Sequence, residues 1–127
     1  MKGITRMSVC VENLEQALEF YRDILGLQIK ETLETDAETA AARWGVSNPG
    51  GARAAFLQNR TQPTILELIQ FENPPGRYLR EPGPPLETGL YSVALRVEDL
   101  ESEYRALMAN GFQFLSPPCT YHADWVD

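Results

Sequence analysis

From Arg6 to Val11 apolar and polar positions alternate: Met7, Val9 and Val11 are apolar, and Arg6, Ser8 and Cys10 fall between them. A period of two predicts a half-buried strand. From Leu14 the period changes, and Leu14, Ala17, Leu18, Tyr21 and Leu25 recur at helical spacing. Asn13 is placed to cap that helix, and Gln16, three residues later, can complete a capping box. Gly26 stops the helix, and Leu27 to Ile29 open a second strand. Glu34 to Trp44 is rich in Ala, Thr and Glu and predicts a short helix or a mobile flap. Ser47-Asn-Pro-Gly-Gly marks a turn. Ala52 to Gln58 predicts a third strand, polar Asn59 to Gln62 before Pro63 a hairpin connection, and Thr64 to Phe71 a fourth strand. The first part of the chain is then β-α-β-β-β over residues 4–71.

The layout recurs. Ser92-Val-Ala-Leu-Arg-Val-Glu-Asp-Leu-Glu follows Arg6-Met-Ser-Val-Cys-Val-Glu-Asn-Leu-Glu at an offset of 86 residues, and Gly111, Phe112 and Phe114 echo Gly26, Leu27 and Ile29 with a slip of one. The second copy predicts a strand to Val97, a helix from about Asp99 to Asn110 and a short strand near Phe112 to Leu115. The counterparts of the third and fourth strands would fall beyond residue 127, so two strands are expected to be missing. An unfinished sheet exposes an edge, and an edge invites another chain. Between the copies, five prolines in residues 73–89 exclude a long regular element. The expected organisation is one domain over 1–127: a first module over 1–72, a Pro-rich linker over 73–89 and a partial second module over 90–127. Arg77, Tyr78 and Arg80 make that linker either a plain connection or a flap over a pocket.

Composition narrows the partners. A chain of 127 residues with 43% apolar side chains can bury a modest core. A formal net charge of −7 argues against nucleic acid or an anionic membrane, which both need clustered cations. Without a transmembrane run or a signal-like N-terminus, and with Cys10 and Cys119 read as free thiols, the expected location is the cytoplasm.

Strand parity then selects a face. If Met7, Val9 and Val11 face the helix, Arg6, Ser8 and Cys10 face away from it. In the second copy Val93, Leu95 and Val97 take the helix side, leaving Ser92, Ala94 and Arg96 opposite. Glu67 shares its face with Ile65, Ile69 and Phe71. Apolar walls with a few polar groups are the usual make-up of a small-molecule pocket; the same face could equally be core or a dimer surface. Cys10 has no evident activator and is expected to be a small buried thiol. Tyr21 and Tyr104 are core or rim, and Trp44 and Trp125 either pack or line a pocket mouth. No P-loop, dinucleotide fingerprint or Ser-His-Asp set is present.

The tandem pattern, with FYRDILGL at Phe20 to Leu27, LELIQF at Leu66 to Phe71 and GLYSVALRVEDL at Gly89 to Leu100, resembles the vicinal oxygen chelate superfamily, which includes glyoxalase I, bleomycin-resistance proteins and extradiol dioxygenases. The resemblance covers nearly the whole chain. It implies paired β-α-β-β-β modules forming a curved sheet around a cavity, often completed by a dimer. It also implies, in the metal-dependent members, a divalent metal held by the first and last strands of each module. Carried over by position, those ligands fall on Arg6, Glu67 and Ser92, with the last beyond residue 127. Arg stays protonated and cannot ligate, and Ser is a poor ligand. A lone carboxylate does not hold a transition metal. His122, the only histidine, lies in the tail.

The expected fold class is α+β, with tandem modules in a curved mixed sheet and the second module incomplete. The expected ligand-binding set is Arg6, Ser8, Cys10, Glu67, Ile69, Ser92 and Ala94. Glu67 is the catalytic candidate, and no residue is assigned to a metal. Arg6 and Glu67 should lie within ion-pair reach, as a structural bridge or as a site where Arg6 holds an anion and Glu67 orients it or moves a proton. No cofactor is expected, a divalent metal being left open, and the partners are a small molecule and a second copy of the chain. Two functions stay open: a binding protein for a small, partly apolar molecule, and a lyase, isomerase or dioxygenase, metal-free or with a site completed by further residues or a partner chain.

Overall fold

The computed structural model describes residues 4–61, 64–73 and 94–119. The chain divides into two compact units, Met1–Glu81 and Pro82–Asp127.

The first unit is a four-stranded sheet with helices on both faces. Its elements are β1 (Arg6–Cys10), α1 (Leu14–Leu18, continued by a π-helical segment, Glu19–Ile24), β2 (Gln28–Thr35), α2 (Ala37–Trp44), β3 (Ala52–Gln58) and β4 (Ile65–Phe71). The strand order is β1-β4-β3-β2. β1 runs parallel to β4, and the other pairs are antiparallel, so the sheet is mixed, as expected, and the fold is α+β.

Each face of the sheet has its own core. On the outer face Leu14 and Leu18 of α1 are buried against Ala55, Leu57 and Leu68, with Val9, Val11, Ala17, Tyr21 and Ile29 around them. Asn13 caps α1 by accepting from the Gln16 amide at 3.0 Å. The Gln70 side chain accepts from the Leu14 amide at 2.8 Å, and Arg53 donates to Glu15 at 2.7 Å. Asn13 thus closes the helix start, and Gln70 and Arg53 fix it to the sheet. Its end widens: the Leu25 amide donates to the Phe20 carbonyl and the Leu27 amide to Tyr21. Gly26, at φ 72, turns the chain into β2.

On the inner face, residues 37–44 form the helix α2 and not a flap. Asp36 caps it by accepting from the Thr39 amide at 2.8 Å, and Gly45, at φ 67, closes it. Ala40 is fully buried, among Ala52, Ala54, Phe56, Ile69 and Phe71. Trp44 meets Phe71 edge-on at 5.6 Å between ring centroids, so packing accounts for it. The register of β2 against β3 slips between Ile29 and Glu31. The extra residue, Lys30, reverses the parity of β2. Ile29 therefore packs on the outer face and Leu33, four residues on, on the inner one.

The second unit carries α3 (Leu100–Ala109), capped by Asp99 on the Ser102 amide at 3.1 Å. Tyr104 packs edge-on against Phe114 at 4.7 Å. Residues 94–97 and 112–115, where strands were expected, carry none. A strand needs a neighbour to pair its backbone groups, and no strand is present among the described residues of this unit. The residues expected at 91–93 and Trp125 lie outside the described residues. Among the described residues, no helix is long and apolar enough to cross a membrane.

Candidate functional site

The parallel register of β1 on β4 sets Ser8 opposite Glu67, Arg6 opposite Ile65 and Cys10 opposite Ile69. β3 sets Phe56 opposite Glu67 from the other side. Five of the expected residues, Arg6, Ser8, Cys10, Glu67 and Ile69, are therefore on the inner face of one sheet. Ala94 is exposed in the second unit, and Ser92 and His122 lie outside the described residues.

Glu67 is the centre of the group. It is wholly buried, the sole buried charged side chain among the described residues. Ser8 Oγ donates to Glu67 Oε2 at 2.5 Å, and Arg6 Nε lies 3.4 Å from the same oxygen. Glu67 Oε1 is buried without a hydrogen-bond partner. The ion pair expected between Arg6 and Glu67 is formed, but not as a fork laid on a carboxylate. Arg6 stands diagonally across the ladder from Glu67 and reaches it obliquely, while Ser8, directly opposite, makes the short bond. The Arg6 side chain is also half exposed, 50% against 0% for Glu67, so the bridge has one buried end and one open end.

Cys10 was expected to be buried and is exposed. β1 is the outermost strand of its sheet, so among the described residues no strand pairs with its far side. Partial desolvation still pushes the Cys10 thiol above its ordinary pKa, which leaves less thiolate at neutral pH and makes it a poor nucleophile.

The structure adds two residues. Phe56 forms the apolar wall on the β3 side of Glu67, and Arg43 of α2 lies over it, its guanidinium carbon 5.8 Å from the Phe56 ring and 5.3 Å from that of Trp44. Phe56 was readable from the parity of Ala52, Ala54 and Phe56. Arg43 was not, because its place depends on how α2 settles on the sheet. In the second unit an open depression of about 330 Å³ is lined by Glu98, Asp99, Leu100, Glu101, Pro118 and Cys119. Its carboxylates cluster around the first turn of α3, where acidic side chains are favoured on helix grounds alone.

A divalent metal needs several N, O or S donors converging on one point. Around Glu67 the donors are one carboxylate and one hydroxyl, with a guanidinium against the carboxylate. No set of three or more His, Cys, Asp or Glu side chains converges among the described residues. The described residues do not fit a metal at this position, because Arg6 already supplies the positive charge there.

The family model of the glyoxalase/bleomycin resistance protein/dioxygenase superfamily matches residues 3–124. The chain belongs to that superfamily. A glyoxalase-family protein from Bacillus cereus superposes with a TM-score of 0.81 at 21% identity, over 96% of this chain and 80% of that one. The trypanothione-dependent glyoxalase I of Leishmania major superposes with a TM-score of 0.57 at 16% identity, over 87% of this chain and 68% of that one. At such identities the likeness is one of fold. No curated protein matches the sequence.

Proposed function

We propose that this superfamily member is a metal-free binding protein for a small, partly apolar anion, held on the inner face of the first unit. The observation that carries the reading is the Arg6–Glu67 pair. A buried carboxylate, itself held by the Ser8 hydroxyl, lies 3.4 Å from Nε of a guanidinium whose side chain is half open to solvent. Such a cation is oriented in advance, and its planar fork suits a carboxylate or phosphonate. Ile69, Ile65 and Phe56 supply the apolar walls. Glu67, held by Ser8, positions Arg6, and Cys10 is a further lining candidate. The working form is a cytoplasmic homodimer of single-domain chains, with modules over 1–72 and 90–127 joined by the linker 73–89.

One observation favours a second reading. Glu67 Oε1 is unpartnered, and a buried carboxylate oxygen next to bound substrate can take a proton. The chain would then be a lyase, isomerase or dioxygenase of the superfamily, with Glu67 as its acid-base group.

The test is thermal denaturation against a panel of small carboxylates, phosphonates, neutral molecules and amines of matched apolar size. Apolar acids should raise the melting temperature of the wild type and leave Arg6→Ala unmoved. Stabilisation by neutral or cationic compounds alone, or a shift that survives Arg6→Ala, would sink the proposal.

A further inference from the structure

Glu67 Oε1 is the one buried side-chain nitrogen or oxygen among the described residues that lacks a hydrogen-bond partner. An acceptor in that state is costly, and its presence in a folded protein calls for an explanation. The neighbours cannot serve it. Phe56 stands opposite Glu67 on β3, and Ile65 and Ile69 share its face of β4; none of the three side chains carries a donor. The Ser8 hydroxyl is committed to Oε2, and Arg6 approaches that same oxygen. Arg6 in turn keeps N–H groups with no protein acceptor among the described residues.

The pair therefore offers a cation with donors to spare and, beside it, an acceptor with no donor. The chemical complement is an anion with a donor beside it. Resting on the anion-binding reading of Arg6, we infer that the ligand is an apolar acid carrying a hydroxyl or amino group on the carbon next to its acid group. The acid group meets Arg6, and the neighbouring O–H or N–H meets Glu67 Oε1. Both oxygens belong to one carboxylate, so the two ligand groups must be close together, as they are on adjacent carbons. A carbonyl on that carbon would set acceptor against acceptor. Oε1 is buried in the free protein, so binding requires a rotation of the terminal torsion of Glu67, which is soft in a glutamate.

Four acids with one carbon skeleton test this by titration calorimetry: isocaproate and its 2-hydroxy, 2-amino (leucine) and 2-oxo derivatives. The wild type should bind the hydroxy acid, the amino acid or both at least about tenfold more tightly than isocaproate and the oxo acid, since a site built for a donor rejects the analogue without one. In Glu67→Gln the amide carbonyl can keep the Ser8 hydroxyl while its NH₂ takes the place of Oε1, turning acceptor into donor. The order should then invert in favour of the oxo acid. If Glu67→Gln fails to fold, the wild-type order alone decides. Equal affinities that still depend on Arg6 would overturn this inference and leave the anion-binding reading standing. So would a crystal structure with a bound acid in which a water, not the ligand, sits on Oε1. Failure of all four, while other anions in the wider panel bind through Arg6, would also overturn it. A panel in which no anion binds would overturn the underlying reading as well.

Discussion

A single diagonal contact illustrates what alternation in a sequence can and cannot specify. The parity of β1 and β4 puts Arg6, Ser8 and Glu67 on one face, and that much follows from a period of two. It does not tell which partner sits directly opposite, and that register decides the chemistry: Ser8 takes the short bond to Glu67, and Arg6 arrives obliquely with half its side chain in water. The exposure changes the energetics of the pair. Removing one member of a fully buried pair strands the other at a high cost, but here only one end is buried. Arg6→Ala leaves a buried carboxylate without its cation and should destabilise by about 1–3 kcal/mol. Glu67→Ala leaves an arginine that turns to solvent, so its cost comes from lost packing beside Phe56 and Ile69. In the double variant the stranded charge is absent, so Arg6→Ala should cost little once Glu67 is gone. A double-mutant cycle by urea denaturation reads this as a coupling of that sign. Equal costs for Arg6→Ala in both backgrounds would mean that the bridge contributes nothing.

Local patterning located the elements of the first unit because each is locally consistent: a cap, a run of one period, and a breaker. Asn13, Gly26 and both ends of β3 are where the residues place them, and β4 ends at Phe71 as expected but starts one residue later, at Ile65. The Lys30 bulge was not legible, because a slipped register belongs to a pair of strands and not to either alone. The widened end of α1 escaped for a similar reason: its spacing still reads as helix. α2 was ambiguous between helix and flap, and its capping settles it. The Thr39 amide and hydroxyl both donate to Asp36, and these bonds hold the Asp36 carboxyl below its ordinary pKa. A carboxylate with a depressed folded pKa contributes stability above its unfolded pKa, about 3.9, and loses it as pH falls through the folded value. Asp36 is exposed, so the effect is small and local. It should appear as fraying of α2 below pH about 4, read by Trp44 fluorescence in a Trp125→Phe background. Asp36→Asn keeps a good cap without a titrating proton and should flatten that part of the curve. Parallel acid curves for the two proteins would remove Asp36 from the stability of α2.

At the scale of the whole molecule the repeat is real in sequence but unequal in structure. By the offset of 86, Leu100 occupies the place of Leu14. Leu14 is 3% exposed against its sheet, whereas Leu100 is 55% exposed and Met108, on the same helix, 52%. α3 buries none of its residues, although its pattern matches that of α1. Periodicity names a face but not what covers it, which is why α3 reads in sequence as the equivalent of α1. A second unpaired feature lies in the first unit, where β1 has β4 on one side and, among the described residues, no strand on the other. An apolar helix face and an open strand edge both favour association. Burying large apolar side chains contributes roughly 1.5–3 kcal/mol each, and pairing the edge satisfies its backbone donors and acceptors. Self-association with closed two-fold symmetry is the commonest way to cover such surfaces. The expected species is a dimer of twice the 14.3 kDa chain mass, persisting at micromolar concentration in analytical ultracentrifugation. Its formation should not require ligand, since neither surface includes the exposed end of Arg6 as its main element. A stable monomer at high concentration would show that the chain covers both surfaces by itself, and the dimer would then be discarded while the Arg6–Glu67 site, built wholly within the first unit, would be untouched.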